Sequence, residues 1–359
     1  MSTPTQIAPE APAQSTGPVR SHRRLPRYAP LGLYLAGVAL GFGLSALTGF
    51  SIATAVVYGV VLGTVAVYIA SRAVEGWRKA TDRLVTSLVT TAFGLAMVPL
   101  VSLVWTVLSN GLPRFDSAFF TNSMFRVVGE GGGAYHAILG TLIITALATA
   151  ISVPIGLMTA IYLVEYATGR LKKSITFFVD VMTGIPSIVA GLFAFALFTL
   201  LFGGGIRLGV MGAVALSVLM IPVVVRSCEE VLKLVPNELR EASYALGVPK
   251  WRTVVRVVLP TAIAGLGTGI TLAVARVVGE TAPLLVTVGL ITGTNLNPFD
   301  GRMATLPVFA YYQLTQPGTA TEAFIDRAWT AALVLIILVM ALNVVARLIS
   351  RFFAPKTGH

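Results

Sequence analysis

The sequence predicts an all-α polytopic membrane protein, and three observations support this prediction. Of the 359 residues, 55% are hydrophobic and only 11% are charged, whereas about a quarter of the residues in soluble domains are charged. The mean hydropathy is +0.83. Apolar stretches of about twenty residues, the length that crosses a hydrocarbon core, recur along the chain and alternate with short basic segments.

Eight stretches meet this length criterion. They are predicted at residues 30–49, 52–71, 84–109, 137–164, 176–203, 208–226, 258–292 and 328–350. The seventh is long enough to be tilted in the membrane or broken at Pro283. Residues 1–29, which are rich in Pro, Ala, Ser and Thr, are expected to form a disordered cytoplasmic tail, and residues 353–359 a second tail.

The positions of the basic residues predict the orientation. Lys and Arg are concentrated in the N-terminal tail, in residues 71–83, 166–174 and 226–256, and near the C-terminus. Such segments face the cytoplasm in membrane proteins, so both termini are expected there. The net charge of +11 is thereby explained by membrane topology, and no nucleic acid partner is expected.

Several functional classes are not supported by the composition. The single cysteine, Cys228, excludes an intramolecular disulfide framework. The three histidines are scattered without metal-ligand spacing, so we expect no metal site. The phosphate-binding pattern G-x-x-x-x-G-K-[ST] is absent, so we expect no nucleotide cofactor in this chain. No cluster of nucleophile, base and metal ligands predicts a membrane enzyme.

The first two stretches are expected to form an N-terminal hairpin, which with its basic linker spans residues 30–83. Gly37 and Gly41 predict either close packing of this hairpin or only the ordinary glycine content of membrane helices. A second pair, Gly265 and Gly269, also predicts close helix packing, because no strand precedes it as a dinucleotide site would require.

A charged segment between the sixth and seventh stretches predicts a short helix over residues 238–247. Asn237 is suited to cap its beginning, and Gly247 to end it. The spacing i, i+3, i+7 gives it one apolar face, formed by Leu239, Ala242 and Leu246. Because so short a helix is not stable alone, it needs a surface, either on the ends of its own membrane helices or in a cleft of another protein.

Two pairs of charges lie in or beside the membrane. Arg276 and Glu280 are one helical turn apart, so they can pair. An uncompensated arginine near a helix centre costs about 2.5–3.5 kcal/mol on insertion scales, and the pair is either a structural ion pair or part of a transport path. Arg226 and Glu229 share a face at a helix end, where snorkelling to the interface is an adequate alternative explanation.

The spacing around the short helix resembles the EAA motif of permease subunits in ATP-binding-cassette (ABC) importers. The motif consists of Glu241-Ala242, then Gly247, then Leu259-Pro260. The resemblance implies that the helix couples the permease to a cytoplasmic ATPase, through Glu241, Ala242, Leu246 and Gly247. Ser243 departs from the usual alanine, and its small side chain is expected to fit the ATPase groove.

A longer string resembles the PstA-type permease subunits of phosphate ABC transporters. It includes Arg226-x-x-Glu229, Leu239-Arg240-Glu241-Ala242, and Ala275-Arg276-x-x-Gly279-Glu280-Thr281-Ala282-Pro283. The resemblance covers residues 84–350. It implies a type I ABC importer permease fold with a MetI-like core over residues 84–352, to which the N-terminal hairpin is an addition. It also implies that phosphate passes Arg226, Glu229, Arg276 and Glu280.

The resemblance further implies partners and a location. The partners are a PstC-like permease subunit, a PstB-like ATPase dimer that carries ATP and Mg, and a PstS-like phosphate-binding protein. The location is the plasma (inner) membrane of a bacterium. Gly184, Pro186 and Ser187, in a string that the family shares, are pore-lining candidates, with a simple helix kink as the alternative. The alternative functions are a permease for another oxyanion and a membrane sensor or scaffold in phosphate signalling.

Overall fold

The computed structural model describes residues 25–26, 28–47, 49 and 51–353. Within these ranges the regular structure is helical throughout, and the predicted fold class is confirmed. Nearly all of the predicted N-terminal tail, and all but the first residue of the C-terminal tail, lie outside the described residues.

The helices follow one another with short connections, except between α4 and α5 and between α12 and α13. They are α1 (Ala29–Leu47), α2 (Ile52–Val74), α3 (Trp77–Gly111), α4 (Ser117–Thr121), α5 (Tyr135–Ile161), α6 (Gly169–Thr183), α7 (Ser187–Phe202), α8 (Gly209–Lys233), α9 (Asn237–Ala245), α10 (Lys250–Thr253), α11 (Leu259–Val278), α12 (Ala282–Thr287), α13 (Leu306–Thr315) and α14 (Thr321–Phe353). A π-helical turn extends α5 (Tyr162–Tyr166), and another (Val254–Val258) joins α10 to α11. In the described part of the chain, seven helical segments are long and apolar enough to cross a membrane.

The predicted span at residues 176–203 is divided into two helices. The chain bends by 106° between α6 and α7, and counting this bent pair as one span gives up to eight. The bend lies at Gly184–Pro186, because proline has no N–H to continue the helical hydrogen bonds and disfavours helical geometry in the residue before it. Pro186 therefore begins a new helix, which is a larger change than the kink considered as an alternative.

The seventh predicted span, at residues 258–292, is also corrected. Its helical segment runs from Lys250 to Val278, and the chain leaves the helix at Gly279 before α12 begins at Ala282. Pro283 lies in the first turn of α12, where a missing N–H breaks no helical bond. The break thus precedes Pro283, and a three-residue gap separates α11, which carries Arg276, from α12.

The described chain forms two compact units, which divide between Leu103 and Val104 within α3. In the first unit, α1 and α2 form the predicted hairpin. A methyl group built on Gly37 would lie 2.6 Å from the backbone nitrogen of Gly63. The glycines of the two helices therefore face each other, and close packing is the correct interpretation of the Gly37 and Gly41 pattern.

Helix α8 lies at the centre of the second unit. It packs against α5, α7, α11 and α12, and its buried side chains include Leu216, Met220, Val224 and Leu232. The predicted close packing at the second glycine pair is confirmed, because methyl groups on Gly265 and Gly269 would lie 2.6 Å and 2.8 Å from side-chain atoms of Val231 and Ser227. Helix α8 thus fixes the axial positions of the charged residues described next.

Candidate functional site

The short helix of the cytoplasmic segment is α9, and its ends differ slightly from the prediction. It runs from Asn237 to Ala245, and Pro236 precedes it as the cap residue. Asn237 caps no backbone N–H and instead accepts a hydrogen bond of 3.2 Å from Nη1 of Arg240. The fixed φ of Pro236, at −58°, starts the helix without a side-chain cap.

Gly247 turns the chain back after α9. Its φ is +73°, a conformation that glycine adopts without steric cost. Its N–H donates to the carbonyl of Tyr244 over 2.9 Å, and the N–H of Val248 donates to the carbonyl of Ser243 over 3.2 Å. This turn ends the helix as glycine commonly does, and α10 begins three residues later.

The predicted apolar face of α9 points away from the rest of the chain. Leu239 is 41% exposed and Leu246 is 83% exposed, and Glu241, Ala242 and Gly247 are exposed as well. Of the two surfaces considered from the sequence, the ends of the chain's own helices therefore do not cover this face. The residues expected to contact an ATPase form a free surface in this chain.

The opposite face of α9 is held by hydrogen bonds that the sequence did not predict. Arg240 lies 2.9 Å from Oε1 of Glu165 in the π-helical turn after α5, and it also donates to the carbonyl oxygens of Leu232 and Val235. The hydroxyls of Ser243 and Thr253 lie 2.8 Å apart and are buried. Ser243, the departure from the family pattern, therefore contacts its own chain.

Arg226 lies within a cluster of opposite charges near the α9 end of α8. It forms ion pairs with Asp180 of α6 and, at 2.8 Å, with Glu229. Glu229 also accepts a hydrogen bond of 2.7 Å from Lys233. The predicted association of Arg226 with Glu229 is present, and Asp180 and Lys233 extend it. The Arg226 side chain remains 31% exposed, so part of the guanidinium is accessible.

Arg276 and Glu280 are not paired. Among the described residues neither side chain forms an ion pair or a hydrogen bond. Arg276 is exposed near the end of α11, and Glu280 is half-buried in the gap before α12. The helix ends at Val278, so the expected i, i+4 geometry between the two residues is lost. The structural ion pair, one of the two interpretations considered, is therefore absent among the described residues.

The two groups of charges lie at different depths along the bundle. Gly269 of α11 packs against Ser227 of α8, so that position is level with Arg226. Arg276 is seven residues further along α11, which places it about 10 Å away along the axis at 1.5 Å per residue. Arg276 is thus level with the middle of α8, and Arg226 is closer to α9.

The break between α6 and α7 lies beside this charged region. Gly184 and Pro186 are exposed and Ser187 is half-buried, one helical turn beyond Asp180. Helix α7 then packs against the start of α12, where a methyl group on Gly191 would lie 2.6 Å from Cα of Pro283. The break therefore joins α6, whose Asp180 binds Arg226, to α7, which packs on the segment that follows Glu280.

Comparison with known proteins adds three findings. The family model described as "Binding-protein-dependent transport system inner membrane component" matches residues 152–359. The phosphate transport system permease protein PstA 1 of Mycobacterium tuberculosis (strain CDC 1551 / Oshkosh) is 49% identical over 282 residues, covering 78% of this chain and 91% of that protein. The phosphate transport system permease protein PstA of Yersinia pestis is 36% identical over 288 residues, covering 79% and 93%.

A solved structure is similar in fold. In the crystal structure of a bacterial alginate ABC transporter in complex with an alginate pentasaccharide-bound periplasmic protein, one chain matches with a TM-score of 0.55 and 13% identity, covering 78% of this chain and 97% of that chain. At this identity the likeness concerns the fold alone. The arrangement of helices is therefore shared with a chain of an ABC transporter.

Proposed function

Since the chain belongs to the family of binding-protein-dependent transport system inner membrane components, and within it to the PstA phosphate transport permeases, we propose that it and a PstC-like subunit form the translocation path of an ATP-driven phosphate importer. The chain is a multi-pass membrane protein. We place it in the plasma membrane of a bacterium, with α9 and both termini in the cytoplasm, because the basic segments gather on that side.

The outward apolar face of α9 is the observation that carries the proposal. A nine-residue helix is too short to be stable alone, and here Arg240 and Ser243 attach it to its own chain while Leu239 and Leu246 stay exposed. A rigidly held helix with a free apolar face suits a groove in another protein. In this proposal a PstB-like ATPase dimer supplies the groove, binds ATP and Mg, and performs the hydrolysis.

Coupling then follows from how α9 is connected. It is continuous through short turns with α8 on one side and with α10 and α11 on the other. Movement of the ATPase against α9 is therefore transmitted to the helices that carry Arg226 and Arg276. Because α8 and α11 pack together at glycine positions, they move as a pair and alternately open the path to the two sides of the membrane.

The charged residues suit passage of an anion. Phosphate carries one or two negative charges near neutral pH, and guanidinium groups bind such oxyanions through paired N–H donors. Arg276 has no partner among the described residues and lies on an exposed face, where a PstC-like subunit completes the path. Arg226 forms ion pairs with Asp180 and Glu229. These carboxylates lower its affinity for an anion and favour release.

The direct test is reconstitution. The chain is purified from membranes with its co-purifying subunits, placed in liposomes with ATP inside, and supplied with a phosphate-binding protein outside. We expect ATP-dependent phosphate uptake that excess sulfate and molybdate do not reduce. Uptake that sulfate or molybdate abolishes indicates the alternative oxyanion permease. A chain that purifies without an ATPase and a second permease indicates a sensor or scaffold.

A further inference from the structure

Two arginines that belong to neither charged group converge at the end of α8 opposite to α9. Arg207 lies in the connection between α7 and α8, and Arg302 in the connection between α12 and α13. A methyl group built on Gly289 would lie 3.0 Å from Nη1 of Arg207 and 3.5 Å from Cδ of Arg302. Gly289 has a φ of +69°. Its lack of a side chain therefore leaves room for both arginine side chains above its backbone.

Neither guanidinium is neutralised within the part of the chain that the structure describes. Among the described residues, neither side chain forms an ion pair or donates a hydrogen bond. Arg207 is half-buried and Arg302 is exposed. Asp300 is two residues from Arg302, yet no ion pair joins them. By contrast Arg226 and Arg240 each bind a carboxylate. Two like charges held together without a counter-charge repel each other, and a bound anion removes that cost.

The backbone under Arg302 is well supported. Nδ2 of Asn295 donates to the carbonyl oxygens of Asp300 and Arg302, over 2.7 Å and 2.9 Å. The N–H of Val210, in the first turn of α8, donates to the carbonyl of Pro298 over 2.8 Å. The connection that carries Arg302 is therefore attached to the same helix end that Arg207 precedes, and the two side chains are held near each other by structure on both sides.

This pair lies beyond Arg276 on the way out of the membrane. Val288, next to Gly289, contacts Gly212 in the first turn of α8, whereas Arg276 is level with the middle of that helix. The separation along the axis is about 12 Å at 1.5 Å per residue. Helix α12 connects the two positions directly, since it begins after Glu280 and ends before Gly289.

We infer that Arg207 and Arg302 form an oxyanion site at the outer mouth of the path, which receives inorganic phosphate before it reaches Arg276. This inference rests on the proposed function for its orientation and for the identity of the anion. Two guanidinium groups offer paired N–H donors to the phosphate oxygens. A site open to solvent holds the anion weakly, as a site of passage requires.

Chemical protection tests the site without requiring transport. Phenylglyoxal modifies accessible guanidinium groups, and mass spectrometry reports each arginine separately. In the purified complex without binding protein, millimolar phosphate should slow modification of Arg207 and Arg302 about 10-fold relative to chloride of equal ionic strength, because phosphate occupies their donors. Arg126, which is exposed and stacks on Phe125, is the internal control and should react at the same rate. Equal rates with phosphate and chloride at all three arginines overturn the inference.

Variants test whether the site serves transport. The double variant Arg207→Gln and Arg302→Gln should reduce phosphate uptake by the reconstituted complex about 10-fold while the binding protein still stimulates ATP hydrolysis, because only the anion contact is lost. Arg126→Gln makes the same kind of charge change and should leave uptake unaltered.

If stimulation of ATP hydrolysis falls together with uptake, the pair contacts the binding protein and the inference is wrong. Unchanged uptake in the double variant is equally contrary to it. If the wild-type complex takes up no phosphate, the proposed function fails, whereas the protection result still reports on the site.

Discussion

Nη2 of Arg240 in α9 lies 2.9 Å from Oε1 of Glu165 in the π-helical turn that follows α5. The two side chains are 12% and 4% exposed. Arg240 also donates to two backbone carbonyls near the end of α8. One side chain thus joins α9 to the π-helical turn after α5 and to the end of α8, and in the proposed function movement of α9 is passed to both.

Loss of this ion pair should uncouple ATP hydrolysis from transport. Arg240→Met leaves the Glu165 carboxylate buried without its partner, and breaking a buried pair typically costs about 3–5 kcal/mol. We expect more ATP hydrolysed per phosphate taken up, measured in the same proteoliposomes. Arg170→Met, at an exposed position at the start of α6, is the control. An unchanged ratio in Arg240→Met shows that the pair has no part in coupling.

The left-handed conformation of Gly247 predicts that two substitutions at this position weaken ATPase association to different extents. Nothing lies within 4 Å of a methyl group built there, so any effect comes from the backbone. Gly247→Val should weaken ATPase association, because a left-handed L-residue costs about 1–2 kcal/mol and β-branching adds to this. Gly247→Asn should be milder, since asparagine visits this region more readily. Co-purification of the ATPase measures both, and equal retention in the two variants argues against a conformational role.

The contact between Gly269 and Ser227 predicts that a larger side chain at position 269 destabilises the chain. Gly269→Ala places a methyl group 2.8 Å from Cβ of Ser227, and such overpacking costs about 1–3 kcal/mol. Gly267→Ala in the same helix meets nothing within 4 Å and should be neutral or stabilising. Thermal unfolding of the purified chain in detergent compares the two. Equal melting temperatures contradict the packing of α11 on α8.

Glu75 at the end of α2 predicts that the stability of the folded chain depends on pH. It is 5% exposed, and hydrogen bonds from Arg83 above all, with others from Leu25 and Ser71, lower its pKa from 4.5 to about 2. A lowered pKa stabilises the folded chain above pH 4.5, and this contribution is lost as the pH falls towards 2. Glu75→Gln should therefore melt lower than the wild type near neutral pH.

The pH series for Glu75 has a matched control. The difference in melting temperature between the wild type and Glu75→Gln should shrink as the pH falls below 4.5. Asp82→Asn alters an exposed carboxylate and serves as the matched control for the loss of a carboxylate charge. A difference for Glu75→Gln that is constant with pH indicates that shape, and not ionisation, accounts for the stabilisation.

Features local in sequence were predictable here, and contacts across long separations were not. The short helix, its apolar face and the glycine turn follow from spacing within about ten residues, and the structure has all three. The Lys233 contact was also accessible, since it is one turn from Glu229. Arg226 with Asp180 and Arg240 with Glu165 are 46 and 75 residues apart, so no periodicity relates them.

The bent and broken spans were predicted only in part, for a different reason. Hydropathy measures how apolar a window is, and the windows over α6 and α7 and over α11 and α12 are apolar on both sides of their breaks. The bend at Gly184–Pro186 depends on a missing N–H, and the break at Gly279 on packing of α12 against α7 and α8. Proline position located the first break to within a few residues, but it misplaced the second.

Phosphate uptake by the Arg276→Gln variant tests the central claim most directly. Gln is close in size and removes the charge, and Arg276 has no partner in the described chain whose loss would unfold it. Hydrogen bonds to charged groups contribute about 1.5–3 kcal/mol, so uptake should fall about 10-fold or more, while the subunits co-purify in unchanged amounts. Arg276→Lys, which keeps the charge without the planar fork, should retain intermediate uptake. Wild-type uptake by a correctly assembled Arg276→Gln complex would contradict the account.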